Sequence, residues 1–165
     1  MGRNGWRAAP PRGRDALPPS AARGVAVHYS GMDSDEQANH ASCAGRVLGI
    51  QRYHMEDKGW LDIAYSHVLC RHGFVFVGRG YGIRTAANGT TAANDHYFAV
   101  CFLGDDTPRR ADLTRQARQT LGELIRDYQR RYPRALHVRP HSAFTPTECP
   151  GRELGAYIDR REWRR

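Results

Sequence analysis

His141 and Cys149 stand eight positions apart in the stretch HSAFTPTECPG, with Pro146 between them and Pro150 directly after the thiol. Imidazole and thiolate are both transition-metal donors. Pro150 suits the first position of a helix, which places Cys149 at or beside the N-cap, where free backbone N–H groups and the helix dipole favour a thiolate. A loop of this length lets His141 reach the same ion at the roughly 2.0–2.3 Å bonds that zinc makes. The third candidate donor is His28, near the end of the apolar run GVAVHYS. Strand ends in α/β sheets are where active-site loops gather. Two histidines and one thiolate with a fourth position open form a catalytic zinc pattern, able to acidify a water and polarise a carbonyl. Eight histidines in 165 residues also supply accidental pairs, so spacing alone leaves coincidence open.

The elements that must position these donors follow from periodicity. GVAVHYS, residues 24–30, predicts a buried strand. Between Asp35 and Asp57 the positions Cys43, Val47, Ile50 and His54 recur at helical spacing, and Gly59 is a natural stop. AYSHVLCRHGFVFVGRG, residues 64–80, predicts two strands joined at RHG, with Gly73 as the turn glycine. A Gly-, Asn- and Thr-rich loop runs from Tyr81 to Asn94. HYFAVCFLG, residues 96–104, then reads as a strand in the middle of a sheet. Leu113, Ala117, Leu121, Leu124 and Tyr128 mark a second helix, which Pro133 ends. ALHVRPH predicts a last strand, and PGRELGAYIDRREW a terminal helix. Strands interleaved with about three helices imply an α/β fold, a single domain with a central mixed β-sheet. Residues 1–23, rich in Pro and Arg, predict an N-terminal extended arm laid over the domain or partly loose, and residues 24–165 the domain itself.

Composition sets bounds rather than chemistry. No apolar run approaches the roughly 18 residues of a membrane span, and the N-terminal residues lack the apolar core of a secretory signal. The net charge of +8 is almost all arginine, since Lys58 is the only lysine. Such a surface favours polyanions, whether nucleic acid or an anionic cell wall. No aromatic-and-basic RNA-binding signature or recognition helix accompanies it, so nucleic acid is not the expected partner. Cys43, Cys70 and Cys101 read as small core residues, with a Cys43–Cys70 disulfide left open, and there is no C-x-x-C pair.

GWLDIAYSHVLCRHGFVFVGRG, preceded by GIQRYHMEDK and followed by HSAFTPTECPG, resembles the type 2 N-acetylmuramoyl-L-alanine amidases, which include peptidoglycan recognition proteins and short phage lysozyme-amidases. GWRAAPPRG in the arm is similar to the lead-in of the recognition proteins. The resemblance covers nearly all of the chain and implies a fold of that type. It implies Zn2+ held by His28, His141 and Cys149, with Tyr65 and Thr147 as catalytic residues. The implied reaction is hydrolysis of the lactyl-amide bond between N-acetylmuramic acid and L-alanine of peptidoglycan. The chain departs from the family at His-Ser-Ala (141–143), where His-Arg-Asp is frequent, and at Val77, where a glutamate commonly precedes GRG. Its loop GIRTAANGTTAAN resembles that of amidase domains from phages of actinobacteria. This implies an endolysin, held in the host cytoplasm until a separate membrane-permeabilising protein releases it to the cell wall. Peptidoglycan is then the expected partner, with anionic wall polymers as a second contact and a monomer as the expected state. The alternatives are a recognition module that binds peptidoglycan without cutting it, and a polymerase-binding regulator.

Among the remaining candidates, Arg84, Asn94 and His96 are proposed substrate contacts, Arg84 and Asn94 against the plainer reading of a solvated loop and His96 as the residue that opens the central strand close to the Asn-rich loop. His54 reads as a packed, hydrogen-bonded core histidine. His67, two positions from Tyr65 and so on its strand face, reads either as cleft lining or as packing. His40, His72 and His137 read as surface or turn residues, and Trp60 as a structural anchor.

Overall fold

Side chains alternate in direction along the strands and so sort onto two faces of one sheet, and that sorting decides where chemistry can sit. The computed structural model describes residues 1–31, 40–104, 113–135 and 137–164, the side chains of residues 40 and 41 excepted. Five strands, β1 (Gly24–Tyr29), β2 (His67–Cys70), β3 (Val75–Val77), β4 (Tyr97–Leu103) and β5 (His137–Pro140), lie in the order β3-β2-β4-β1-β5. All neighbours run parallel except the β2–β3 hairpin. The sheet is therefore mixed, and the near-continuous apolar strands β1 and β4 occupy its middle, where both faces are covered.

One face carries Val25, Val27, Leu69, Phe98, Val100 and Phe102. Against it pack α3 (Arg115–Arg131), through the predicted stripe Ala117, Leu121, Leu124 and Tyr128, and α4 (Gly151–Asp159). Thr114 caps α3 by accepting the Ala117 N–H at 3.1 Å. The opposite face presents Val68, Cys70, Cys101 and Leu103 to Cys43 and Val47 of α1 (His40–Arg52), which a π-helical turn extends over Tyr53–Asp57. The start of the predicted first helix, and the reading of His40, lie outside the described residues.

The arm lies over the domain. Its Trp6 is 1% exposed and donates its indole N–H to Val77 O at 3.0 Å. Arg3 pairs with the buried Asp62 at 2.8 Å, and Gln51 clips the arm by bonding Ala9 N and Ala9 O.

Three expectations are corrected. The loop 81–94 is interrupted by α2 (Thr91–His96), whose cap Thr90 accepts the Ala93 N–H; six residues are too few to show an amphipathic period. His96 therefore closes a helix instead of opening β4. The terminal helix ends at Asp159, because Arg161 adopts the left-handed conformation (φ 53°), and a 3-10 turn at Glu162–Arg164 folds Trp163 back into the core. Tyr65 and His67 do not share a face. Ser66 takes Ala99 N–H on its hydroxyl and gives its own N–H to Ala99 O, a local break in the pleat. Tyr65 consequently packs on the α1 side, while His67 turns to Tyr128 of α3.

The β1–β5 pairing is close enough to forbid a side chain at Gly24, where a Cβ would lie 2.0 Å from the carbonyl oxygen of His137. Gly24→Ala should cost more than about 2 kcal/mol. Gly49→Ala, inside α1 with nothing within 4 Å, should gain up to about 1 kcal/mol. Opposite shifts of the urea midpoint are the expected result.

Candidate functional site

Parallel pairing brings the carboxyl ends of β1 and β5 side by side. Val27 pairs with Pro140, so His28 on β1 lies next to His141, the first residue after β5. Their ring centroids are 4.4 Å apart. The loop after His141 returns through Pro146, and the Ser142 N–H donates to Cys149 O at 3.0 Å, which closes it. Cys149 Sγ then sits 3.8 Å from His28 Nδ1. The donor atoms of His28, His141 and Cys149 all lie within 4.8 Å of one another.

The protonation of His28 is fixed by its surroundings. His28 is 2% exposed, and its Nε2 lies 2.9 Å from Asn88 Oδ1. Asn88 is itself fully buried, and its amide nitrogen is committed to Thr85 Oγ1, Ala93 O and Tyr97 O. Only its oxygen can face the imidazole. Nε2 therefore carries the proton and donates, and Nδ1 keeps the lone pair that points toward Cys149. Among the described residues, neither of the buried ring nitrogens of His141 has a hydrogen-bond partner. Buried polar atoms are seldom left in that state, and a metal ion would take the lone pair of one of the two nitrogens. These residues fit a zinc ion.

A cavity of about 280 Å³ opens beside the triad, lined in part by His54, Trp60, Tyr65, Ala87, Gly89 and Asn94. Tyr65 links the two regions, with its ring centroid 5.6 Å from that of His28. Gly89 (φ 79°) lies against the loop, and a Cβ there would meet Thr145 Cγ2 at 2.6 Å and His141 Nε2 at 3.3 Å.

The family model for N-acetylmuramoyl-L-alanine amidase matches residues 18–152. The chain belongs to that family. Among curated relatives, it is 32% identical over 158 residues to the human protein named N-acetylmuramoyl-L-alanine amidase, covering 90% of this chain and 26% of that one. It is 30% identical to peptidoglycan recognition protein 1 of Bos indicus, over 69% of this chain and 60% of that protein. The chain thus spans about a quarter of the length of the amidase-named relatives it matches. Wild-type Drosophila PGRP-LB shares its fold with TM-score 0.84 at 24% identity, over 96% of this chain and 91% of that one. So does peptidoglycan recognition protein LE, solved with tracheal cytotoxin, with TM-score 0.83 at 23% identity, over 97% and 92%.

Within this amidase-family site the other predicted residues are placed as follows. Thr147 is exposed, and its hydroxyl accepts the Cys149 N–H at 3.2 Å. Asn94 reaches the cleft, yet its oxygen is occupied by Thr85 Oγ1 and Asn88 N–H. Arg84 is not brought to the cleft; it pairs with Asp95. His96 is not brought there either, since its Nδ1 bonds Ala21 O of the arm at 2.8 Å. His54 is buried and accepts the Ala64 N–H, as a packed histidine should, and also lines the cavity. Trp60 stacks near His54 at 4.9 Å and lines the same cavity. His137 is exposed.

Cys149 lies beside the N-cap as expected, but the expected thiolate is corrected. Pro150 is itself the N-cap, the helix begins at Gly151, and Cys149 stands one residue outside it. Burial pushes its thiol up to about 11, against a smaller pull from the Tyr29 N–H that donates to Sγ at 3.4 Å. A metal, not the helix, must draw off that proton. Asn88 and Gly89 are the residues that sequence reasoning missed; the Asn-Gly pair signalled a tight turn without revealing what the turn supports.

Burial pulls His28 down to about 3, with His141 adding to the effect and Asn88 opposing it. Burial likewise pulls His54 and His67 down to about 4. All three are neutral in the fold and titrate near 6.5 when unfolded. Their stability contribution is complete above about pH 6.5 and is lost as pH falls toward 4, because only the unfolded chain gains protons there. Each histidine should add up to about 1.4 kcal/mol per pH unit to the slope. Urea midpoints measured from pH 7 to 4.5 should fall steeply, and less steeply in His67→Leu.

Proposed function

We propose that the chain is a zinc-dependent N-acetylmuramoyl-L-alanine amidase that hydrolyses the lactyl-amide bond between N-acetylmuramic acid and L-alanine of peptidoglycan. The observation that carries this reading is the convergence of His28 Nδ1, Cys149 Sγ and the unpartnered nitrogens of His141 at one end of the sheet. When bound there, zinc would polarise the scissile carbonyl and lower the pKa of water, as it does in other hydrolytic sites with three protein donors.

The chain's own residues supply the rest. Asn88 holds the His28 ring in one tautomer and orientation. Burial raises the Tyr65 hydroxyl well above its ordinary pKa, with smaller contributions from Cys101 and Cys149, so it stays protonated. The Cys101 thiol is its polar neighbour. Sulfur is a weak acceptor, so the O–H can be surrendered to a developing oxyanion at little cost. Thr147 already uses one lone pair on the Cys149 N–H and keeps its proton for a substrate oxygen. Small residues around the cleft, Ala64, Ala86, Ala87 and Gly89, leave room for a glycopeptide, and Trp60 offers it an apolar wall.

The reading extends to the setting. The +8 charge would draw the enzyme to anionic wall polymers, a contact that weakens with salt. An endolysin acting on actinobacterial walls fits the arginine-rich composition.

With zinc supplied, the protein should release peptides with L-alanine at the N-terminus from actinobacterial sacculi, detected by mass spectrometry. Cys149→Ala should abolish release, and Tyr65→Phe should lower kcat by about 100-fold with little change in KM. A folded, zinc-loaded wild type that binds sacculi yet frees no peptide would leave a recognition module instead. Asn88→Ala should weaken zinc binding about 10–100-fold in a chelator competition. Unchanged affinity would refute the orienting role of Asn88.

A further inference from the structure

Among the described residues a second set of soft donors converges, built from elements that the first site does not use. Cys43 projects from the buried side of α1, Cys70 ends β2, and His72 sits in the turn before β3. His72 Nδ1 lies 3.4 Å from Cys43 Sγ and 3.8 Å from Cys70 Sγ. All three donor atoms fall within 4.8 Å of one another. Zinc bonds of roughly 2.3 Å to sulfur and 2.0 Å to nitrogen, spread at a tetrahedral angle, put donors roughly 3.5–3.8 Å apart. Both imidazole–sulfur distances lie close to that spacing.

We propose that Cys43, Cys70 and His72 bind a thiophilic divalent ion of the zinc class, a second site separate from the His28–His141–Cys149 triad, which ties α1 to the β2–β3 hairpin. The turn that carries His72 is braced by Gly73 N–H on Cys70 O at 2.9 Å and by Cys70 N–H on Phe74 O at 3.0 Å. Gly73 (φ 78°) permits that turn. Both sulfurs are fully buried while His72 is half-buried, so the ion enters from the imidazole side and solvent fills the fourth position. All four cysteines of the chain are free thiols. Binding transfers both thiol protons to buffer and involves no change of oxidation state.

Two cysteines in an apolar core need no imidazole, and His72 could as well have faced solvent from its turn. Its ring is instead directed at both sulfurs. The structural consequence is local: the ion would fasten the helix to the hairpin on the face where the sheet carries its thinner apolar cluster.

The full chain, equilibrated with zinc alone and freed of loose metal, should carry two ions by native mass spectrometry. Cys149→Ala should carry one, His72→Ala should carry one, and the double variant none. His72→Ala is a turn substitution chosen to spare the core, and its loss of affinity should exceed the roughly 10–100-fold cost of removing an outer partner. Zinc should raise the Tm of Cys149→Ala and leave that of the double variant unchanged. The Cys149→Ala background makes the result independent of the amidase reading. A wild type with one ion and a folded Cys149→Ala with none would overturn the proposal, as would an intact mass lower by two hydrogens with Cys43 and Cys70 found disulfide-linked.

Discussion

Burial of a neutral imidazole at the end of β1 imposes a strict accounting, because a neutral histidine has one N–H to give and one lone pair to offer, and at 2% exposure bulk solvent does not reach either. Asn88 accepts the proton at 2.9 Å and cannot turn its amide group around, since three other acceptors hold its nitrogen. The lone pair is thereby committed to the space shared with Cys149 and His141. Exchanging the roles of the two ring nitrogens would confront Asn88 Oδ1 with a second lone pair, an unsatisfied contact that costs about 1–3 kcal/mol in the interior. The loop 81–96 can thus be understood as scaffolding for one hydrogen bond. Thr85 and Asn94 position Asn88, Thr90 caps the short helix that supplies Ala93 O, and Gly89 lets the chain pass close to His141.

The sheet supplies the remaining precision. The histidines are separated by most of the sequence, yet parallel pairing of β1 with β5 sets them side by side by register alone. A slip of one residue would turn His28 toward α3 and move Val25 and Val27 out of the core they form there. That register is protected by the near contact at Gly24 and by the packing of Val25 and Val27 in the core, so the forces that stabilise the fold also hold the donor geometry.

Much of this was legible in the residue pattern, and the gaps have physical reasons. The helix α3 followed from a period of 3.6, the hairpin from its turn glycine Gly73, and the central strand β4 from its near-continuous apolar run. The order of His28, Tyr65, His141 and Cys149 was read through family resemblance, and the geometry brings all four to one end of the sheet. What failed was whatever depends on one side chain meeting distant backbone. The Ser66 hydroxyl replaces a ladder partner and so breaks the period that had placed His67 beside Tyr65. His96 is claimed by the arm carbonyl of Ala21 and Arg84 by Asp95, contacts that composition cannot foresee. Asn88 looked like any loop asparagine because its importance lies in burial, which a polar residue in a Gly-rich loop does not advertise.

The division of labour between the two faces explains why the chemistry collects where it does. Toward α3 and α4 the strands direct bulky residues, Phe98, Val100 and Phe102 of β4 with Val25 and Val27 of β1. Toward α1 the same strands direct smaller or polarisable ones, with Cys101 opposite His28 in register and Val68 and Cys70 on β2. A face of small side chains buries less apolar surface per residue and so contributes less to stability. It also leaves volume for a tyrosine hydroxyl, an asparagine amide and imidazole rings that need polar partners rather than packing. The arm compensates by laying Trp6 on that same face and fastening it through Val77 O and the Arg3–Asp62 pair. Stability and reactivity are therefore assigned to opposite sides of one five-stranded sheet, and the arm reinforces the side that yielded apolar packing to the site.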